Sequence, residues 1–275
     1  MAATRALRIV FGTRAAIVAA LAVVLCLTGC AAPDKDEEAR GWSADKLYAE
    51  ANDALEGGDY PKAERYFELL ESRFPFGALA QQSQLNAAYA YYKDNEPEQA
   101  IAAINRFIQM HPDHPRVDYA WYLKGLINFN DNLGWLGRFS NQDLSERDPK
   151  AAKASFEAFK TLVARYPNSP YAADATARMK YLVNSLALHE VHAARYYFSR
   201  GAYVAAVNRA QQAVRDYPGA PAVEEALTLL VKSYDQLGMT TLRDDAKRVL
   251  EANYPNSEFL EGKTSTRVKR WWQIW

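Results

Sequence analysis

Cysteine is scarce in this 275-residue sequence: there are two, Cys26 and Cys30, and both lie at the end of the first apolar run. A disulfide framework normally joins distant parts of a small fold, whereas a bond between these two neighbours would close a trivial loop. We therefore expect no disulfide. The scarcity also leaves the rest of the chain without a thiolate for redox chemistry or metal binding.

Long hydrophobic runs are also missing. The most apolar segment, Ala15 to Leu27, falls short of the ~20 apolar residues that a membrane-spanning helix needs, so a transmembrane anchor is the weaker interpretation. Arg5, Arg8 and Arg14 precede the run without any acidic residue, and small residues end it. A basic start, a short apolar core and a small-residue end are typical of a secretory signal peptide.

The four residues that end this run, Leu27-Thr28-Gly29-Cys30, resemble the bacterial lipobox. The resemblance implies that residues 1–29 are a lipoprotein signal peptide and that Cys30 becomes the first residue and carries acyl chains. Several chains give a stable anchor, since each buried CH₂ contributes ~0.8 kcal/mol. Ala31 stands where an aspartate would retain such a protein in the inner membrane, so the resemblance predicts the outer membrane. Residues 30–41 are polar and charged, which indicates a tether.

Charge of one sign is not in excess. The sequence has 33 basic and 33 acidic residues, and the signal peptide contains three of the basic ones and none of the acidic ones. The remaining chain therefore carries a net charge of −3. Nucleic-acid binding needs a strong basic field, so the composition argues against it.

Motifs for catalysis are missing as well. The four histidines form two pairs, His111 with His114 and His189 with His192. The second pair could share a helix face, but HEVH is not the HExxH zinc motif, and no third ligand lies nearby in the sequence. Neither a glycine-rich phosphate loop nor a GxSxG elbow is present, and the scattered acids are typical of solvated helix faces. We expect no metal site, no cofactor and no enzymatic activity.

Proline marks an internal repeat. Five similar segments end with an aromatic or polar residue before a proline, and the intervals between these prolines are 37, 55, 51 and 37 residues. A period of ~34 residues with helix–turn–helix patterning is typical of tetratricopeptide repeats. Since no strand pattern competes, we predict an all-α fold, a tetratricopeptide-type α-solenoid of five helix–turn–helix repeats. The prolines are Pro75, Pro112, Pro167, Pro218 and Pro255.

The first repeat illustrates the pattern. Apolar residues around Ala51 recur at helical spacing, and Gly57-Gly58 are expected to end that helix because glycine accepts the left-handed conformation. Asp59 and Pro61 then predict the start of a second helix, in whose first turn proline is tolerated. Small residues at Ala51 and Ala63 would let the two helices approach closely.

Two segments depart from the repeat pattern. Residues 129–147 interrupt the third repeat and contain Trp135, Arg138 and Phe139; this insertion is either a binding loop or a flap that packs on neighbouring repeats. Residues 261–275 combine basic residues with tryptophans and end in WWQIW. This tail suits a membrane interface or a partner groove, or it forms a last helix that caps the fifth repeat.

Residues 72–126, 145–182 and 196–218 resemble the BamD family, the lipoprotein component of the outer-membrane β-barrel assembly machine. The distinctive elements are the RFPFG and RYPNS turns, YAYYK and GAYVAAVNR, which are weak singly and specific as a set. With the lipobox and the five repeats, the resemblance covers nearly all of residues 27–260. It implies a non-catalytic periplasmic scaffold, lipid-anchored to the outer membrane, that assists the recognition, folding and insertion of β-barrel proteins. The alternative is another periplasmic repeat lipoprotein that coordinates cell-wall synthesis or division.

The resemblance also assigns partners. Residues 42–115, repeats one and two, are expected to receive unfolded outer-membrane β-barrel proteins, and residues 116–260, repeats three to five, are expected to bind BamA. The family's BamA-contacting arginine lies in GAYVAAVNR and corresponds to Arg209. The aromatic residue of the RFPFG turn, implicated in substrate reception, corresponds to Phe74, where the family commonly has tyrosine. The resemblance suggests BamC and BamE as further partners.

The residues around that turn form a candidate substrate-binding site. Outer-membrane strands alternate apolar and polar residues, so a receiving surface needs apolar groups together with polar groups for unpaired backbone. Phe74 and Phe76 supply the apolar part, and Tyr91 combines a ring with a hydroxyl group. Amides that both donate and accept hydrogen bonds follow at Gln81, Gln82, Gln84 and Asn86.

Overall fold

The computed structural model describes residues 39–129 and 149–258, and within these ranges it contains ten α-helices and no strand. Consecutive helices pair into five helical hairpins, which confirms the predicted α-solenoid. The helices are α1 (Ala44–Glu56), α2 (Tyr60–Arg73), α3 (Ala78–Lys93), α4 (Pro97–Met110), α5 (Val117–Phe129), α6 (Pro149–Arg165), α7 (Ala172–Ser199), α8 (Tyr203–Asp216), α9 (Val223–Gln236) and α10 (Thr240–Asn253).

Four of the hairpins turn through a residue with left-handed backbone. In each, the N–H of the next residue donates to the carbonyl five residues earlier, at 2.9–3.0 Å, which satisfies a carbonyl that the helix end would leave unpaired. Glycine suits this position because it has no Cβ to clash, so the predicted stop at Gly57-Gly58 is confirmed. The four residues are Gly58 (φ 78°), Asn95 (φ 63°), Gly201 (φ 74°) and Gly238 (φ 68°).

The second helix of each hairpin ends two residues before a repeat proline. The residue between them leaves the helix, because proline disfavours helical backbone at the preceding position. The N–H groups of Phe74, His111, Tyr166, Tyr217 and Tyr254 donate to the carbonyl four residues earlier, at 2.8–3.2 Å. After His111, Tyr166 and Tyr217 the next helix begins six residues later, but after Phe74 it begins four residues later. The first inter-repeat turn is therefore two residues shorter than the three that follow it.

Small side chains let the helices pack closely. Ala51 and Ala63, predicted to lie at the contact within the first hairpin, are both fully buried, as are Ala88 and Ala100 in the second. The first helices of adjacent hairpins also touch, α1 with α3, α3 with α5 and α7 with α9. Large side chains such as Phe67 fill the remaining space, and each contributes ~1.5–3 kcal/mol by burial.

The third hairpin packs through a glycine. Gly125 of α5 faces the ring of Phe159 of α6, and the Oγ of Ser155 donates to the Gly125 carbonyl at 2.8 Å. The predicted start of the second helix near Asp148-Pro149 agrees with α6, which begins at Pro149. The long helix predicted from about Tyr171 to Arg200 is α7. In the described ranges, no helix has the length and apolarity to cross a membrane.

Candidate binding surfaces

The short first inter-repeat turn presents two phenylalanines at the surface. Phe74, the residue after α2, is 37% exposed, and Phe76 is 90% exposed. Gly77 follows with a φ of 102°, and because glycine tolerates this conformation the chain turns directly into α3. Burying a phenylalanine contributes ~1.5–3 kcal/mol, so this turn is a surface that contact with an apolar segment would stabilise.

The amide side chains that follow the turn differ in how many hydrogen bonds they already make within the protein. Gln81 and Gln82 are partly exposed in the first turns of α3. Gln82 Nε2 donates to Asn86 Oδ1 at 2.9 Å, and Asn86 Nδ2 donates to Asn52 Oδ1 on α1 at 3.0 Å. This chain of amides joins α3 to α1, so Gln82 and Asn86 have a structural role as well as a surface position.

Gln84 does not belong to this surface. Its side chain is buried, its Nε2 donates to Glu71 Oε1 at 3.1 Å, and its Oε1 accepts from His111 Nε2 at 3.0 Å. Arg106 donates to the other Glu71 oxygen at 3.1 Å. Both ends of the Gln84 amide are therefore occupied within the protein, and the expectation that it would contact a substrate backbone is wrong.

Tyr91 lies at the opposite end of α3 from the two phenylalanines. At 1.5 Å of rise per residue, it is about 20 Å along the helix from the residue that follows Gly77. Its hydroxyl donates to Glu68 of α2, and burial, followed by this hydrogen bond, raises the pKa of Tyr91. The structure thus brings Phe74, Phe76, Gln81 and Gln82 to one end of α3 and leaves Tyr91 at the other.

Arg209 lies on α8 and is paired with a buried acid. Its Nη1 donates to Glu190 Oε2 of α7 at 3.0 Å, and the two side chains are 42% and 4% exposed. Part of the Arg209 side chain therefore remains at the surface. A guanidinium has five N–H groups, so the pair with Glu190 does not use all of its donors. A second pair joins the next hairpin, since Arg195 of α7 donates to Glu225 of α9.

Sequence reasoning missed Glu190 as the partner of Arg209. The available signal was its place on an apolar stripe: Leu186, Glu190 and Ala194 recur every four residues, and all three are buried. An acid on such a stripe needs a buried partner, because an unpaired charge inside a protein is costly. The partner comes from the next helix, nineteen residues later.

Both histidines of the first pair contact the same aromatic ring. The rings of His111 and His114 lie 5.4 and 5.2 Å from that of Phe107. Burial, followed by the charges of His111 and Arg116, lowers the pKa of His114. His189 and His192 both lie on α7. Across residues 39–129 and 149–258, no three histidine, cysteine or acidic side chains are arranged to hold a metal ion.

Several predicted features lie outside the described residues. These are the signal peptide 1–29 with Cys30, most of the tether 30–41, the insertion 129–147 beyond Phe129, and the tail 261–275. They remain predictions from the sequence.

A family model and several known proteins match most of this chain. Residues 41–250 match the YfiO family, described as an outer membrane lipoprotein. The chain is 49% identical over 255 residues to "Outer membrane protein assembly factor BamD" of Neisseria meningitidis serogroup A, covering 91% of this chain and 96% of that protein. Proteins with the same name from Xylella fastidiosa (37% identity; 88% and 83% covered) and Vibrio cholerae (39% identity; 76% and 86% covered) are also similar.

Proposed function

Because the chain belongs to the YfiO family of outer membrane lipoproteins, we propose that it works in outer membrane protein assembly as a scaffold. The observation that carries this conclusion is the 49% identity, over 91% of the chain, to a protein named as an assembly factor. The alternative function in cell-wall synthesis or division is not favoured, since the similar proteins from three organisms all have that same name.

The fold suits a scaffold that acts by binding and not by catalysis. Stacked helical hairpins form an extended surface on which several partners can be held at once. Function then depends on which side chains the hairpins expose, and two surfaces of this chain are candidates.

The first surface, for unfolded β-barrel proteins, lies in repeats one and two, residues 42–115. Phe74 and Phe76 would take apolar side chains of the incoming segment, and Gln81 and Gln82 would hydrogen-bond its unpaired backbone. An extended segment advances about 3.3 Å per residue, so roughly six residues would be needed to reach from this turn to Tyr91. The support for this surface is the exposure of both phenylalanines in a short turn.

The second surface, for BamA, lies in repeats three to five, residues 116–260, and includes Arg209. The partly exposed guanidinium keeps donors beyond the one used by Glu190, and guanidinium groups pair with carboxylates through a fixed fork geometry. BamC and BamE are further proposed partners. The assignment of Arg209 to BamA rests on the resemblance of the GAYVAAVNR motif, and BamC and BamE rest on the resemblance to the BamD family as a whole.

The third part of the proposal is the attachment to the membrane. Acyl chains on Cys30 would anchor the chain to the periplasmic side of the outer membrane, with residues 30–41 as the tether. More than one acyl chain is needed for stable attachment, as expected for a lipoprotein with an N-terminal cysteine.

Depletion of the chain from its own cells tests the proposed function. We expect the amount of folded β-barrel protein, measured by heat-modifiable gel mobility of outer-membrane fractions, to fall on depletion and to recover with the wild-type chain. In the same cells, a Cys30→Ser variant whose residues 1–29 are replaced by the signal peptide of an ordinary secreted protein is expected in the soluble periplasmic fraction, because it lacks the acyl chains that hold it.

The two parts of this experiment fail separately. Normal levels of folded barrels after depletion would overturn the role in assembly. A Cys30→Ser variant that stays in the membrane fraction, also when BamA is depleted, would show that something other than lipid on Cys30 anchors the chain.

A further inference from the structure

Glu64 is a buried acid at a position that the next three repeats fill with apolar residues. Counted back from the residue that ends the second helix, it corresponds to Ile101, Phe156 and Val207. Glu64 is 9% exposed, and its Oε1 is buried with no hydrogen-bond partner among the described residues. The expectation that the acids lie on solvated faces is therefore wrong here. Such burial is unfavourable, and the fold alone does not require it.

Further acids surround Glu64, and together they form an acidic pocket made of Glu64, Glu68, Asp94 and Glu96. Glu68 lies one turn later on α2 and accepts the hydrogen bond from the Tyr91 hydroxyl. Asp94 and Glu96 lie in the turn between α3 and α4, where the Glu96 N–H donates to the Tyr91 carbonyl at 2.9 Å. Burial, followed by the charges of Glu96, Asp94 and Glu68, raises the pKa of Glu64 to about 7.

The lysines of the same elements are directed at aromatic rings. The ammonium group of Lys62 lies 5.6 Å from the ring centre of Tyr66, and that of Lys93 lies 5.9 Å from the ring centre of Tyr60. Among the described residues, the charges that raise the pKa of the Glu64 carboxyl are those of three acids, Glu96, Asp94 and Glu68. The pocket therefore places several negative charges around Glu64 Oε1, which has no hydrogen-bond partner among the described residues. A cation would stabilise this arrangement.

We propose that this acidic pocket binds the guanidinium group of an arginine on a partner polypeptide. The guanidinium spreads five N–H donors over a plane and is weakly hydrated, so it suits partly buried carboxylates better than a strongly hydrated ammonium does. It can also stack on a tyrosine ring, and Tyr91 lies at the edge of the pocket. The acids of the pocket do not form a group suited to a metal ion, as found for the whole described part of the chain.

The test uses the full mature chain, made soluble by Cys30→Ser, with N-acetyl-argininamide as the probe and N-acetyl-citrullinamide as its uncharged match. We expect only the arginine probe to raise the thermal midpoint and to lower the pKa of the Glu64 carboxyl, followed by carbon-13 NMR. Glu64→Gln should weaken binding of the arginine probe by about tenfold or more, the usual effect of losing a charge-assisted hydrogen bond. Asp244→Asn is the matched control, because Asp244 holds the corresponding position in α10 and is exposed; it should change nothing.

A second variant separates binding from folding. Glu64→Ile copies the residue of the second repeat, and we expect it to raise the thermal midpoint of the free chain by roughly 2–4 °C while abolishing the response to the arginine probe. Equal responses to the two probes, or unchanged arginine binding in Glu64→Gln, would overturn the proposal. A larger midpoint shift with calcium chloride than with the arginine probe would also overturn it, in favour of a metal site.

Discussion

The Gly125→Ala variant is expected to unfold with a free energy about 2 kcal/mol lower than that of the wild-type chain. A Cβ on residue 125 would lie 2.5 Å from Cδ1 and 2.7 Å from Cζ of Phe159, and closer still to Cε1. The ring cannot easily move, since Phe159 is fully buried and contacts the rings of Tyr122 and Phe129. The free-energy cost of this overpacking exceeds the ~1 kcal/mol by which alanine stabilises a helix relative to glycine. Urea unfolding of the soluble mature chain measures the difference.

Phe159→Leu provides the control for this prediction. Leucine lacks the ring that meets the new Cβ. Gly125→Ala should therefore lower the free energy of unfolding less in the Phe159→Leu background than in the wild type. A double-mutant cycle measures this coupling. If Gly125→Ala is neutral or stabilising in the wild-type background, α5 and α6 do not approach as closely as described.

The Arg209→Glu variant should destabilise the α7–α8 hairpin by about 2 kcal/mol. Breaking a buried ion pair costs about 3–5 kcal/mol because it leaves a charge unpaired, and the partial exposure of Arg209 reduces this value. Glu190, with its side chain 4% exposed, would then face a second carboxylate. Hydrogen exchange of α7 and α8 amides measures the loss locally. Unchanged exchange would mean that the Arg209–Glu190 pair does not stabilise the hairpin.

This loss of stability would obscure any role of Arg209 in binding BamA, so a neutral pair is needed. In the double variant Glu190→Gln with Arg209→Gln, neither charge is left unpaired and the two amides can still hydrogen-bond. We expect its stability within about 1 kcal/mol of the wild type. If Arg209 contacts BamA, recovery of BamA from detergent-solubilised membranes falls with this folded variant; full recovery removes Arg209 from the interface.

The repeat architecture could be predicted because its signals are local. A left-handed turn residue is needed where the first helix ends in four of the five hairpins, and a proline lies two residues after the end of each second helix. These requirements leave glycine, asparagine and proline at regular positions, such as Gly58, Asn95 and Pro75. The interruption of the third repeat could also be predicted from the sequence, and α6 begins at Pro149, as that prediction requires.

The polar contacts could not be predicted because they join residues on different helices. The side chain of Gln84 hydrogen-bonds to Glu71 and His111, which are 13 and 27 residues away in the sequence. Periodicity shows that Glu190 and Glu64 lie on helices, but it does not show which polar group a neighbouring helix will cover. For the same reason, the candidate substrate site was predicted as one group, although Tyr91 lies at the far end of α3 from Phe76.

Reception of unfolded outer-membrane chains at the first inter-repeat turn is tested most directly by photo-crosslinking. The soluble mature chain carries a photoreactive residue at position 81, and the probe is the last strand of a β-barrel protein or the same peptide with its aromatic residues replaced by serine. We expect about tenfold less crosslinking with the serine peptide, since one buried aromatic ring contributes about 1.5–3 kcal/mol. Phe76→Ser should give a similar loss, and Tyr196→Ser, at an exposed aromatic of α7, should give none. Equal crosslinking of the two peptides, or crosslinks that map only beyond residue 170 when the photoreactive residue is moved along the chain, would contradict reception at this turn.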